Sequence, residues 1–119
     1  MGVAEEAAQE VKQFEVWWAD MPEPIGRRPV LLLSRSPAYR YLSRVIVVEV
    51  TSTVRAIPQE IRLGRNEGLS RGSVANFDNV HVVPLRNLTR RVGALAIRRH
   101  AEVKRAVGFA LGWPELTQL

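Results

Sequence analysis

Two arginines set directly before a proline, Arg27 and Arg28 before Pro29, are the residues of this chain best placed to do chemistry. They follow the turn Met21-Pro22-Glu23-Pro24-Ile25-Gly26 and lead into the apolar run Val30-Leu31-Leu32-Leu33-Ser34. A proline biases the residue before it toward extended backbone, so Arg28 is expected at the lip of a strand as a fixed cation. A guanidinium held in one place matches a phosphate group, two donors to two oxygens. The alternative is a pair of solvated turn charges, which soluble domains carry commonly. The neighbouring Trp17-Trp18 adds an aromatic element. Adjacent strand residues point to opposite faces, so one ring should enter the core and the other lie toward the surface. There it could stack on an unpaired base or join an interface between two chains.

Other familiar chemistries lack the residues they need. The chain has two histidines, His81 and His100, far apart in sequence, and no cysteine. That leaves no recognisable metal-ligand cluster, no thiolate nucleophile and no disulfide, so neither a metal nor a cofactor is expected. The segment Gly64 to Gly72 lacks the lysine and the spacing of a phosphate-binding loop. His81 alternates with Val80 and Val82 in a predicted strand and reads as a surface or rim histidine ahead of a general base.

Charge points to a polyanion. The net charge of the 119 residues is +5, and nearly all the basic residues are arginine, the lysines being Lys12 and Lys104. Glu5, Glu6 and Glu10 against Lys12 give the first 13 residues a charge of −2, which leaves +7 on the remainder. Such a field favours nucleic acid over a neutral partner.

The elements that must hold these residues follow from the apolar pattern. At 119 residues and 46% hydrophobic content the chain makes one domain with a real core. Its apolar runs, Pro29 to Leu33 and Val45 to Val48, are far shorter than the roughly 20 residues of a membrane span. With no secretory signal pattern and no cysteine, a cytoplasmic location is expected. Residues 1–13, rich in Ala, Glu and Gln, read as a peripheral extension, helical or frayed, and 14–119 as the functional domain. Strands are predicted over Phe14–Met21, Val30–Ser34, Arg44–Thr53, Pro58–Leu63, around Val80–Val83 within Ser73–Pro84, and over Arg90–Ala96. A helix is predicted over Arg98–Leu111, with Val103, Val107, Ala110 and Leu111 as its apolar face and Gly112 with Pro114 as its end. Short strands followed by one packed helix make an α+β domain built on a small curled sheet or barrel.

The order of these pieces resembles a known family. Val16-Trp17-Trp18-Ala19-Asp20, then Gly26-Arg27-Arg28-Pro29, the strand Val30 to Ser34, the strand end Val50-Thr51-Ser52, Pro58 to Leu63, and Gly68-Leu69-Ser70-Arg71-Gly72-Ser73-Val74-Ala75-Asn76 look like the MazF/PemK/Kid toxins. The resemblance covers Phe14 to about Leu111 and implies an SH3-like β-barrel with a C-terminal α-helix. It also implies a homodimer and metal-independent endoribonuclease cleavage of single-stranded mRNA. A cognate small antitoxin is implied as partner, expected to reach the same Arg-rich groove through an acidic segment. Carried over position by position, it places catalysis on Arg28 and Thr51; Arg27, Trp18, Ser52 and Glu49 are expected as RNA-binding neighbours. Taken alone, Thr51 is equally an ordinary β-branched strand residue. Glu49 shares the face of Thr51 by strand alternation and is either a base or a carboxylate paired with an arginine. Two features depart from the family pattern: Phe14-Glu15 stands where Gly-Asp is usual, and the turn before Gly26 is short. Two alternatives remain, a CcdB-type poison of DNA gyrase and a barrel that binds RNA without cutting it.

Overall fold

The computed structural model describes residues 11–118. Its framework is one six-stranded, fully antiparallel, curled sheet: β1 (Glu15–Met21), β2 (Gly26–Leu32), β3 (Arg44–Thr51), β4 (Glu60–Leu63), β5 (Ser73–Pro84) and β6 (Leu88–Ala94). The spatial order is β4-β5-β3-β2-β1-β6. Two helices accompany it, the short α1 (Ala38–Tyr41) and the C-terminal α2 (His100–Leu111).

Both faces of the sheet are covered, which is why its central strands read as near-continuous apolar runs. On one face Val16, Leu31, Val48, Val50, Ile61, Leu63, Ala75 and Phe77 pack beneath Leu95 and the α2 residues Val103 and Ala106. On the other, Trp17, Ala19, Val30, Leu32, Val45, Val47 and Val83 pack with Val11 and the fully buried Tyr39 of α1. Removing such side chains from water is the main source of stability, about 1.5–3 kcal/mol for each large one. No helix among the described residues is long and apolar enough to cross a membrane.

The elements differ from the sequence expectation in instructive places. Strand β2 begins at Gly26, so the two arginines lie inside the strand, Arg27 opposite Asp20 and Arg28 opposite Ala19. Pro29 is tolerated there because β2 pairs with β3 only through Val30, Leu31 and Leu32, leaving no ladder bond for the proline to miss. Helix α1, in a stretch with no strong periodicity, was not expected; burial of Tyr39 fixes it. In α2 Val103 and Ala106 are buried and the expected Val107 and Ala110 pack half-buried against the same core, whereas Leu111 is exposed. Of the extension predicted over 1–13, residues 1–10 lie outside the described residues. The last three are tied to the body: Val11 is buried, the Lys12 N–H donates to Glu15 Oε1, and Gln13 bonds Ser36 and Leu33.

Candidate active site

Where β2 runs beyond its pairing with β3, the two strands leave room for a cleft of about 570 Å³. Five of the six residues singled out from sequence line it: Trp18, Arg27, Arg28, Thr51 and Ser52. Glu49 does not.

Each lining residue is placed by its strand. Register sets Arg27 and Arg28 against Asp20 and Ala19 at the end of the β1–β2 hairpin. The tryptophan question resolves by the same alternation. Trp17 is buried and donates its indole N–H to Glu15 Oε1 at 3.0 Å, while Trp18 faces the cleft with the Arg27 guanidinium 5.1 Å from its ring centroid. A cation over an indole face is attracted by the ring quadrupole, so Trp18 and Arg27 hold one another in place. Thr51 closes β3, and its Oγ1 accepts the Thr53 N–H at 3.1 Å. That bond fixes the side chain through its oxygen and leaves the hydroxyl proton available to a phosphate oxygen.

The opposite wall was missed from sequence. It consists of Gly68, Leu69, Ser70 and Arg71 from the loop between β4 and β5, with Arg90 and Val92 from β6. Two glycines let this loop lie on β6. Gly68 has φ +90°, and a Cβ there would meet the Val92 carbonyl oxygen at 2.2 Å; a Cβ on Gly93 would meet the Glu67 carbonyl oxygen at the same distance. The loop is anchored from behind by Glu67, whose buried carboxylate accepts the Gly64 N–H at 2.6 Å and Arg99 Nη1 at 3.2 Å. Arg99 also donates to the Arg62 carbonyl and to both oxygens of Glu102. The Arg99 hydrogen bond and charge hold the Glu102 carboxyl below its ordinary range, against the opposing effect of desolvation. Arg71 and Arg90 carried a usable signal, because the body of the chain is basic and both lie within the stretch that resembles the family. Nothing local marked the loop as a wall, since that depends on glycines from two distant segments meeting.

Glu49 sits one step behind the cleft, with Oε1 3.8 Å from Arg28 Nε and Oε2 2.5 Å from His81 Nε2. His81, expected at the rim, is therefore half-buried and bonded to a carboxylate. His100 is elsewhere, edge-on to Phe14. Among the described residues no group of three or more His, Asp or Glu side chains could hold a metal ion.

Comparison with known proteins assigns the family. Residues 12–111 match the family described as "PemK-like, MazF-like toxin of type II toxin-antitoxin system". The chain belongs to the PemK/MazF toxin family. It is 39% identical to "Probable endoribonuclease MazF5" of Mycobacterium tuberculosis over 98 residues, 82% of this chain and 89% of that protein. It is 34% identical to "Endoribonuclease MazF3" of the same organism over 88 residues, 72% of this chain and 85% of the relative. Among solved structures, Mycobacterium tuberculosis toxin MazF-mt6 superposes with a TM-score of 0.78 at 30% identity, covering 82% of this chain and 96% of that one. A mycobacterial endoribonuclease in complex with its cognate antitoxin superposes with a TM-score of 0.76 at 27% identity, covering 87% and 97%.

Phe14-Glu15, which the resemblance marked as a departure, has a structural use in this chain. Glu15 is 6% exposed and accepts bonds from the Lys12 N–H, the Trp17 indole and Arg91 Nε. It thereby joins the segment before β1, β1 itself and β6 behind the cleft. Phe14 takes φ +68°, a left-handed conformation in which a bulky residue is strained. It is held there by its N–H on the Leu32 carbonyl and its carbonyl on the Leu95 N–H.

Proposed function

We propose that this chain is the toxin component of a type II toxin–antitoxin pair, a metal-independent endoribonuclease that cleaves single-stranded mRNA in the Arg28–Thr51 cleft. The observation that carries the reading is the convergence of Arg27, Arg28, Thr51, Ser52 and Trp18 on one cleft in a basic molecule. Relatives named as endoribonucleases support it. In this reading the ribose 2′-hydroxyl attacks the adjacent phosphorus and negative charge builds on the non-bridging oxygens. As the new 2′-O–P bond forms the 2′-hydroxyl gives up its proton, and as the P–O5′ bond breaks the 5′-oxygen takes one up, so the step is balanced in protons. Arg28 stabilises the developing charge, and Thr51 donates its hydroxyl to a phosphate oxygen. Arg27 and Ser52 hold the backbone, and Trp18 offers a face on which a base can stack. The products are a 2′,3′-cyclic phosphate and a 5′-hydroxyl.

The same proposal includes an SH3-like barrel architecture for the curled sheet and a homodimer. Support for the dimer is an exposed apolar stripe, Ile46, Val80 and Val82 on β3 and β5, with the exposed Leu111 of α2 lining the same hollow as Val80. The antitoxin is expected to place an acidic segment in the arginine-lined cleft and to compete with RNA there. Incubating the protein with a long single-stranded RNA in EDTA tests the reading. Discrete fragments are expected. Intact RNA of retarded mobility would mean a binding module, and inhibition of supercoiling without RNA cleavage would mean a gyrase poison.

A further inference from the structure

We infer that Glu49 and His81 are a positioning pair for Arg28, holding its guanidinium from behind while the cleft uses its front; the inference rests on the nuclease reading of the cleft. Three neighbouring strands contribute the three residues. Glu49 on β3 pairs with Val30 on β2, two residues from Arg28, and His81 on β5 pairs with Val47, two residues from Glu49. Alternation puts Arg28, Glu49 and His81 on one face, in a row across β2, β3 and β5. Glu49 also stands where β5 slips relative to β3: Val48 pairs with Val80, but Val50 pairs with Ala75.

The contacts run in one direction. Arg28 lines the cleft, but its Nε is buried, has no hydrogen-bond partner among the described residues, and lies 3.8 Å from Glu49 Oε1. The guanidinium therefore spans two environments, its inner nitrogen against a carboxylate and its body at the cleft. His81 Nε2 donates to the other carboxylate oxygen at 2.5 Å, and the Glu49 side chain is only 14% exposed, so the carboxylate has little freedom to turn away. Neither Glu49 nor His81 lines the cleft. The pair consequently acts through Arg28 and does not touch RNA, which follows the sequence expectation of Glu49 as a carboxylate paired with an arginine and departs from that of an RNA contact or base. A guanidinium oriented before substrate arrives needs no reorganisation as charge develops, and misplacement by about 1 Å is enough to cost up to about 100-fold in rate.

Single-turnover cleavage of a single-stranded RNA containing a cut site, with RNA affinity measured separately, tests the pair in the full-length protein. Glu49→Gln is expected to slow the cleavage step about tenfold with affinity unchanged or tighter, because a negative charge near the phosphate is removed. His81→Ala should share the defect, and His81→Gln, which keeps a donor for the carboxylate, should recover most of the rate. In an Arg28→Ala background Glu49→Gln should cost nothing more. A full additional loss there, or a loss confined to affinity, would overturn the inference. A second readout needs no cleavage: the Arg28 Nε–H proton, observed by NMR, should be protected from solvent exchange in the parent protein and exposed in Glu49→Gln. Equal protection in both would overturn the positioning pair even if the cleft cleaves RNA. Equal cleavage by the parent and Arg28→Ala would instead overturn the nuclease role of Arg28, leaving the NMR comparison to decide the pairing. Should Glu49→Gln fail to fold by circular dichroism, the two His81 variants carry the same comparison.

Discussion

Arg28 concentrates the proposed chemistry, and its substitutions separate charge from geometry. Arg28→Ala should lower cleavage about a hundredfold or more, the scale of losing one preorganised donor, while RNA affinity falls far less. Arg28→Lys restores the charge without the planar fork, so affinity should recover and most of the rate defect remain. Thr51→Ala should show a smaller rate loss with the fold intact, since only one hydroxyl donor is removed and, among the described residues, Thr51 Oγ1 otherwise serves the Thr53 N–H alone. Single-turnover kinetics with circular dichroism as a control checks all three; parent-like cleavage by Arg28→Ala would remove Arg28 from the mechanism. Glu49 shows where residue-level reading of a sequence stops. Its face was legible from strand alternation, but its partner His81 lies 32 positions away and depends on the β3–β5 register, which no local pattern encodes.

At the scale of elements, the cleft depends on a loop pressed onto β6 through two glycines. Gly68→Ala introduces a Cβ 2.2 Å from a backbone oxygen at a residue with φ +90°, so the loop must move. The expected cost is about 1–3 kcal/mol, read as a lowered melting temperature, together with a loss of cleavage larger than the stability change explains, because Leu69, Ser70 and Arg71 move with the loop. An unchanged melting temperature and rate would show that the loop does not need this approach. The strands and α2 were legible because their apolar periodicity is local and both faces of the sheet are buried. The arginine–proline pair likewise announced the start of a strand, although β2 extends to Gly26 because hairpin pairing with Asp20 and Met21 carries it past the proline. Helix α1 was illegible, being four residues fixed by the burial of one tyrosine. The cleft's second wall was illegible for the same kind of reason: it is made by tertiary contact between Gly68 and β6.

At the scale of the whole molecule, the basic body and the apolar stripe call for two different partners. The stripe of Ile46, Val80 and Val82 is proposed to bury itself against a second copy, so Val82→Asp should shift the protein to monomer in analytical ultracentrifugation with its sheet intact by circular dichroism. A dimer of undiminished affinity would move the interface elsewhere. The arginine-rich cleft is proposed to meet RNA, and that is the association on which the function depends. If Arg28 and Thr51 serve attack by the substrate's own 2′-hydroxyl, removing that oxygen must stop the reaction. The decisive measurement is single-turnover cleavage, in EDTA, of two otherwise identical single-stranded RNAs, one carrying a 2′-deoxy nucleotide at the cut position. Cleavage of the all-ribose strand to 2′,3′-cyclic phosphate and 5′-hydroxyl ends, with the deoxy strand bound but uncut, is the result expected; cutting of the deoxy strand at the same position would contradict it.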